Sequence, residues 1–160
     1  MVFQRIYLDS NVIIRAFEAG PEDAIAQDIV GIIGLIKLGE PARCVTSHIT
    51  LAEVLVHPTR DGDNFLTQRY LSLLSTTTPW LHIQRVDQAV LVKASQLRAH
   101  LKLKLPDAIH AASAILTNCS HILSEDIDFH SRPSAPNLTL PTAIRPERQT
   151  LDRIIAWLRA

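Results

Sequence analysis

The sequence has no excess of charge of either sign and very little cysteine. Sixteen lysine and arginine residues balance sixteen aspartate and glutamate residues, so the formal net charge at pH 7 is zero. Nucleic-acid-binding surfaces are usually basic, so the overall charge does not indicate one, although a basic rim around an acidic pocket is compatible with a sum of zero. Cys44 and Cys119 form no C-x-x-C pair and lie beside apolar residues, so we expect two buried, reduced thiols.

Long apolar runs are also missing. The most apolar stretch is residues 29–38, whereas a helix that spans a bilayer needs about 20 such residues. The first six residues lack the basic-then-apolar order of a signal peptide, so we expect a cytoplasmic protein without a membrane segment. We find no repeats, low-complexity tracts or linkers. A chain of 160 residues, 47% of them hydrophobic, predicts one domain, 1–160, with its own core.

Short apolar runs alternate with helix-like patterns along the chain. The runs predict strands at residues 6–8, 43–46, 80–84 and 121–124, and a weak fifth strand at 138–140. Apolar residues at helical spacing predict helices at 12–19, 22–38, 48–56, 65–75, 87–101, 106–116 and about 150–159. This alternation is typical of an α/β domain whose parallel sheet is covered by helices on both faces.

Glycine, proline and polar clusters predict the breaks between these elements. The Gly-Glu-Pro segment 39–41 should end the second helix, and the His-Pro pair 57–58 should close the third. The polar residues 60–64 predict a loop, and the proline-rich stretch 132–146 predicts loops around a short edge strand. The last helix should pack on the domain or on a partner.

Four acidic residues stand where predicted strands end or within the helices that follow them. Asp9 follows the first strand, Asp126 follows the fourth, and Asp107 lies in the first turn of a helix. Ligands of open parallel sheets bind beyond the carboxyl ends of the strands, so these positions are candidates for a site. Taken singly, each also fits a structural role, such as a turn for Asp9 or a favourable helix-dipole contact for Asp107.

Glu53 is the most informative of the four, because it is the one charge in the apolar stretch 49–56. A buried carboxylate is costly unless it is paired or bound to a metal ion. No basic residue lies near it in its own helix, which leaves a distant arginine or a metal ion shared with other carboxylates. Oxygen-only ligation suits Mg²⁺ or Mn²⁺, and such ions with activated water cleave phosphodiesters.

Four segments together resemble the motifs of PIN-domain nucleases, in the order and at the spacing that this family has. They are Leu8-Asp9-Ser10-Asn11-Val12, Thr50-Leu51-Ala52-Glu53, residues 105–112 (LPDAIHAA) and residues 121–129 (HILSEDIDF). The resemblance spans about 6 to 140, and the nearest subgroup is the VapC-type toxins of toxin–antitoxin pairs. It implies a three-layer α/β/α fold with a parallel sheet in the order of about 3-2-1-4-5.

The resemblance also implies which residues form the site. Asp9, Glu53, Asp107 and Asp126 should converge on one pocket as catalytic residues and ligands of Mg²⁺ (or Mn²⁺). Two further groups, Asn11 and Ser124, should orient metal ligands and water, with Ser124 in place of the commoner threonine. Asp128 is a candidate fifth acid, although its Asp-Phe setting favours a structural turn.

The function that the resemblance implies is a metal-dependent endoribonuclease, the toxin of a type II toxin–antitoxin pair. Its substrate would be RNA, an antitoxin protein would bind a groove formed by the first two helices, and the chain would form a homodimer. Two alternatives stay open: a non-catalytic PIN module that binds RNA or protein, and a housekeeping RNA-processing nuclease with the same site.

Other polar residues allow two interpretations each. The seven histidines contain no H-x-x-x-H or H-E-x-x-H motif, and His110, three residues after Asp107, is expected to be a surface or supporting residue. Five basic residues either guide RNA to the pocket or form a solvated helix face: Arg60, Arg69, Arg98, Lys102 and Lys104.

Overall fold

Five parallel strands form one sheet in the part of the chain that the computed structural model describes, which is residues 2–38, 43–77, 79–130 and 138–160. The strands are Ile6–Leu8 (β1), Cys44–Ser47 (β2), Leu81–Gln84 (β3), His121–Leu123 (β4) and Thr142–Ile144 (β5). Their order is β3-β2-β1-β4-β5, which confirms the predicted order. On the central strand, Ile6 lies opposite Cys44 of β2 and His121 of β4.

Helices connect successive strands and cover the sheet. They are Ser10–Glu18 (α1), Ala24–Leu38 (α2), His48–Val54 (α3), Val56–Asp61 (α4), Asn64–Leu73 (α5), Gln88–Leu101 (α6), Leu105–Leu116 (α7), Ile127–His130 (α8) and Arg148–Arg159 (α9).

Side chains of the central strand alternate between two apolar cores. Ile6 and Leu8 point into one core with residues of α1, α2, α5 and α9, whereas Tyr7 points into the other with residues of α6 and α7. Burial of each large aliphatic or aromatic side chain contributes about 1.5–3 kcal/mol to the stability of the fold. Apolar packing therefore stabilises the sheet on both of its faces. The result is the predicted three-layer α/β/α architecture.

The carboxyl ends of β1 and β4 meet at the middle of the sheet. The backbone N–H of Asp9 donates to the carbonyl oxygen of Leu123 at 3.1 Å, so the residues that leave these two strands start side by side. The helices α3 and α7 also lie close to each other. This arrangement brings all four resembling segments toward the carboxyl end of the central strands.

The prediction of a fifth strand at 138–140 is wrong, because that strand is Thr142–Ile144. Pro141 has no N–H to donate to a ladder, and the pairing begins after it, with Thr142 N donating to Ser120 O at 3.0 Å. Leu138 is buried, which explains its apolar pattern, but it packs in the core on the α6 and α7 side. As predicted, the strand lies at the sheet edge.

The prediction that residues 60–64 form a loop holds only for Gly62 and Asp63, because α4 continues to Asp61 and α5 already begins at Asn64. The prediction that His57-Pro58 closes the third helix is wrong, because α3 ends at Val54 and both residues lie in α4. Pro58 is in the first turn of α4, where a backbone N–H has no helical acceptor to lose. The helix ends at Gly62, whose φ of 69° is in the left-handed region. The predicted stop at 39–41 and residues 132–137 of the proline-rich stretch lie outside the described residues.

The expectations about the two cysteines and about membrane-spanning helices can also be compared with the structure. Cys44 and Cys119 are buried free thiols, as predicted, and burial raises the pKa of Cys44 to about 12. Within the described ranges, no helix combines the length and apolar composition that crossing a bilayer requires.

Candidate metal centre

Asp9 occupies the point where β1 ends and α1 begins. It is the N-cap of α1, and its Oδ1 accepts a hydrogen bond from Ser10 N at 2.8 Å. Its other oxygen, Oδ2, accepts from Asn11 Nδ2 at 2.9 Å and from Ser124 Oγ at 2.5 Å. The side chain is only 5% exposed. Hydrogen bonds from three donors stabilise the ionised carboxylate in this buried position.

Ser124 links Asp9 to the segment that follows β4. Its hydroxyl donates to Asp9, accepts from Asn11 Nδ2 at 3.2 Å and accepts from Asp126 N at 2.9 Å. The amide oxygen of Asn11 completes the link by accepting from Glu125 N at 3.2 Å. The two residues expected to orient the acids thus contact Asp9 directly and hold the backbone that carries Asp126.

Asp107 approaches from the other side, in the first turn of α7. One carboxylate oxygen from each of Asp107, Asp126 and Asp128 lies within 4.8 Å of the other two. Asp126 Oδ1 also accepts from Asp128 N at 2.8 Å, which keeps these two acids close. The carboxylate of Asp128, which the sequence suggested was structural, therefore lies with two of the predicted ligands.

The Asp107 carboxylate is the clearest sign that a cation fits here. Its Oδ2 is buried and has no hydrogen-bond partner among the described residues. Burial, followed by the negative charges of Asp126, Asp128 and Asp9, raises the pKa of Asp107, and Lys104 opposes this only in part. A divalent cation would both satisfy the buried oxygen and remove the repulsion. The donor set consists of oxygens, which suits Mg²⁺ or Mn²⁺.

Glu53 is placed differently from the other predicted ligands. Its Oε2 lies 2.8 Å from Nε2 of His110, and the side chain is 30% exposed. Burial alone would raise the pKa of Glu53, but the hydrogen bond and charge of His110 outweigh it, with help from Ser10, and leave the pKa below its usual value. The partner that the sequence left open is thus a histidine of α7.

His110 connects Glu53 with the rest of the site. It is 2% exposed, and its Nε2 lies 3.5 Å from Asp9 Oδ1, while its Nδ1 lies 2.8 Å from the hydroxyl of Tyr7. Burial alone would lower the pKa of His110, but the hydrogen bond to Glu53 and the charges of Asp9, Glu53 and Asp107 leave it raised.

All four predicted acids therefore belong to one connected arrangement, but not to one tight group. Asp107 and Asp126 lie together with Asp128. Asp9 is joined to Asp126 through Ser124, and Asp9 and Glu53 are joined through His110. Sequence reasoning missed the role of His110, for which the signal was its position one helical turn after Asp107.

The fold and the acidic site define a class: an α/β domain with a carboxylate cluster at the carboxyl ends of its parallel strands. The PIN domain family model matches residues 6–134. The chain belongs to the PIN domain family, as its four motifs predicted. Among curated proteins, none matches the chain.

Several solved structures share this fold. A toxin–antitoxin complex from Klebsiella pneumoniae contains a chain that is 24% identical, with a TM-score of 0.62, and the match covers 90% of this chain and 98% of that one. VapBC2 from Rickettsia felis, bound to a DNA fragment from its promoter, is 18% identical with a TM-score of 0.60, covering 89% and 98%. DNA-bound VapBC from Salmonella typhimurium is 17% identical with a TM-score of 0.58, covering 89% and 98%.

Proposed function

We propose that this chain is a divalent-metal-dependent endoribonuclease and the toxin of a type II toxin–antitoxin pair. The observation that carries the metal-dependent part is the buried Oδ2 of Asp107, which has no hydrogen-bond partner among the described residues and lies beside Asp126 and Asp128. Natural proteins rarely keep an unsatisfied buried carboxylate oxygen unless it serves a function. Membership of the PIN family, together with this cluster, favours phosphodiester hydrolysis.

The residues that would hold Mg²⁺ (or Mn²⁺) are Asp107, Asp126 and Asp9, with Asp128 as an additional oxygen donor and Glu53 at the side of His110. When bound, such an ion lowers the pKa of water and stabilises charge that develops on a phosphate. The chain itself keeps two of these carboxylates in place: Ser124 and Asn11 fix Asp9, and His110 fixes Glu53. This pre-organisation is the protein's contribution to hydrolysis.

RNA would approach over the side where Lys104 lies. Its Nζ is 3.7 Å from Asp128 Oδ2, and its side chain is 77% exposed, so it stands at the rim of the acidic cluster. Arg98 and Lys102, near the end of α6, are also exposed. These three exposed cations would supply phosphate contacts, and Lys104 lies beside the acidic cluster, which makes a zero net charge compatible with an RNA substrate. Arg60 instead pairs with Asp61.

The substrate and chemistry can be tested together. We expect purified protein to cut single-stranded RNA in Mg²⁺ or Mn²⁺, to leave a 5′-phosphate and a 3′-hydroxyl, and to stop in EDTA. A DNA strand of the same sequence serves as the control for substrate class. No cutting by folded protein that binds Mn²⁺ would point to one structured RNA target, and no Mn²⁺ binding at all would favour a non-catalytic module.

The proposed antitoxin would bind in the groove between α1, α2 and α5. This groove has a volume of about 1100 Å³. It contains two stacked cation–aromatic pairs, Arg69 over Phe17 at 4.5 Å and Lys37 over Trp80 at 5.2 Å. Such a lining accepts an apolar segment with acidic or aromatic side chains. The solved relatives that share this fold are described as toxin–antitoxin complexes, which supports a partner protein.

Two glycines of α2 provide a matched test of that groove. Gly34 lines it and Gly31 does not. At either position a Cβ would have no neighbour within 4 Å among the residues that the structure describes. Gly34→Leu should therefore block a co-expressed small protein encoded beside this chain, whereas Gly31→Leu should leave its binding unchanged. Equal binding by both variants would contradict the groove assignment. Absence of any such neighbouring gene would favour a housekeeping nuclease.

We also propose that the chain forms a homodimer, as the resemblance implies. Light scattering on the purified protein tests this directly, since it should give the mass of two chains. A single-chain mass at micromolar concentration would contradict the dimer without affecting the proposed chemistry.

A further inference from the structure

The ring of His110 is held from both sides, by one buried and one partly exposed group. Nδ1 lies 2.8 Å from the hydroxyl of Tyr7, which stands on the central strand and is fully buried. Nε2 lies 2.8 Å from Glu53 Oε2. Burial first, and then the negative charge of Asp9, raises the pKa of Tyr7 well above its usual value, so this hydroxyl keeps its proton. A Tyr O–H and a carboxylate thus flank the two ring nitrogens.

The proton between His110 and Glu53 can be assigned from these contacts. An ionised carboxylate only accepts hydrogen bonds, so the 2.8 Å contact requires a proton on Nε2. In the neutral ring, Nδ1 is then free to accept from the hydroxyl of Tyr7. A charged ring would carry the same proton on Nε2, so the hydrogen bond to Glu53 does not depend on the protonation state.

One N–H therefore faces two acids that come from different elements. Glu53 is supplied by α3, and Asp9, whose Oδ1 is 3.5 Å from Nε2, stands at the start of α1. His110 itself lies one turn after Asp107 on α7, so the ring couples three of the predicted ligands. Glu53 uses Oε2 for this bond. Hydrogen bonds to ligating carboxylates are a usual way of orienting them.

We infer that His110 is a positioning residue of the metal centre: Tyr7 orients the ring, and Nε2–H holds the Glu53 carboxylate beside Asp9. This inference rests on the proposed metal-dependent function. The ring is not itself a ligand here, because Nε2 carries the proton and Nδ1 faces Tyr7. Without the His110 ring, the partly exposed Glu53 side chain would be free to adopt other rotamers. The entropy lost when an ion orders this side chain would then weaken ion binding.

The main test measures the Mn²⁺ dissociation constant by calorimetry, without RNA. His110→Leu, which keeps the volume but has no N–H, should weaken binding by about 10- to 100-fold. His110→Gln should recover most of the affinity, because its amide can donate to Glu53 from the position of Nε2. In a Glu53→Gln background, His110→Leu should have little further effect. Equal affinities for wild type, His110→Leu and His110→Gln would overturn the inference.

The protonation of the His110 ring can be measured without metal and without any substitution. In metal-free wild-type protein with ¹⁵N-labelled histidine, long-range ¹H–¹⁵N spectra should show a proton on Nε2 of His110. Tyr7→Phe should weaken Mn²⁺ binding in the same direction as His110→Leu but by less, since only the orientation of the ring is lost. A ring protonated on Nδ1 alone would overturn the inference even if RNA is cut.

The two proposals can fail separately. Protein that binds Mn²⁺ in a His110-dependent way but cuts no RNA would contradict the proposed function and leave the positioning role intact. If the protein cuts RNA and His110→Leu binds Mn²⁺ as tightly as wild type, the positioning role would be contradicted and the proposed function would stand.

Discussion

At the scale of single residues, the ionised carboxylate of Asp107 in the candidate metal centre destabilises the fold that presents it. The pKa of Asp107 is raised by burial and by neighbouring acids, so its ionised form is less stable in the folded chain than in the unfolded one. The contribution of Asp107 to the free energy of unfolding is therefore most favourable below its pKa in the unfolded chain, near 3.8. This contribution is lost as the pH rises through the higher pKa that Asp107 has in the folded chain. A divalent ion would offset this cost.

Asp107→Asn should therefore stabilise the metal-free protein. Replacing such a functional group commonly gains about 1 kcal/mol, which corresponds to a rise in Tm of about 2–4 °C for a chain of this size. Thermal unfolding in EDTA at pH 7 measures the effect, and the gap to wild type should narrow as the pH falls toward 4. Asp152→Asn, at an exposed position of α9, is the control. An unchanged or lower Tm for Asp107→Asn would contradict the electrostatic account.

The hydroxyl of Ser124 supplies a second residue-scale prediction. Ser124→Ala removes a donor to Asp9 and an acceptor for Asp126 N in a fully buried position, which should cost about 1–3 kcal/mol of stability. The Mn²⁺ affinity should fall by about 10- to 100-fold. Ser124→Thr keeps the hydroxyl and should retain the affinity. Denaturant titration and calorimetry measure both effects, and equal losses in the two variants would argue against the hydroxyl.

Sequence alone predicts the acidic residues of this site better than it predicts the hydrogen-bond partners that hold them in place. Asp9 and Asp126 are visible because each follows an apolar run, and strand ends are where parallel sheets bind ligands. The contact between Glu53 and His110 joins residues 57 positions apart, and it exists only because α3 and α7 pack together. Asp128 was undervalued for a similar reason, since its distance from Asp107 depends on the turn at α8.

At the scale of the elements, helix caps determine how the site-bearing helices are held. Asp87 is the N-cap of α6 and accepts from Val90 N at 3.0 Å, and α6 packs on α7, which carries Asp107 and His110. Asp87→Ala should cost about 1 kcal/mol of stability. Asp87→Asn, an equally good cap, should cost much less. Urea unfolding compares the two, and a loss of the same size in both would show that the cap is not responsible.

The elements that sequence patterns misplaced are short or lie beside proline. The strand β5 has three residues and begins directly after Pro141. Its apolar pattern is therefore weaker than that of residues 138–140, which include the buried Leu138. The helix α8 has four residues, too few for a helical period to be seen. The longer helices α2 and α7 show several turns of apolar spacing, and their predicted limits agree with the structure to within two residues.

At the scale of the whole molecule, α9 closes one core by packing on α2. Leu151 is fully buried there, together with Ile154, in the same core as Ile29 and Ile33. Leu151→Ala should therefore cost about 2–5 kcal/mol. Leu91→Ala, at a position 47% exposed on α6, is the control and should cost far less. Chemical denaturation measures both, and a small loss for Leu151→Ala would mean that α9 adds little to the fold.

The order of the sheet also belongs to this scale, and local patterns do not reveal it. Alternating strands and helices predict a parallel sheet with two covered faces, which Tyr7 and its neighbours on β1 realise by pointing to opposite cores. The strand order came from the resemblance of four segments to one family. That order places Asp9 directly after the central strand and Asp126 in the segment that follows the neighbouring strand, so the fold as a whole is what assembles the acids.

The most direct test of the central claim, that these carboxylates hold a divalent ion needed for RNA cleavage, compares wild type with Asp107→Asn. The rate of RNA cleavage should rise with Mn²⁺ concentration to a plateau for wild type, and vanish in EDTA. For Asp107→Asn, which should be folded and no less stable, it should fall by about 10²-fold or more, since even the loss of an outer hydrogen-bond partner costs about 10–100-fold. Cleavage that persists in EDTA, or in Asp107→Asn at the wild-type rate, would contradict the account.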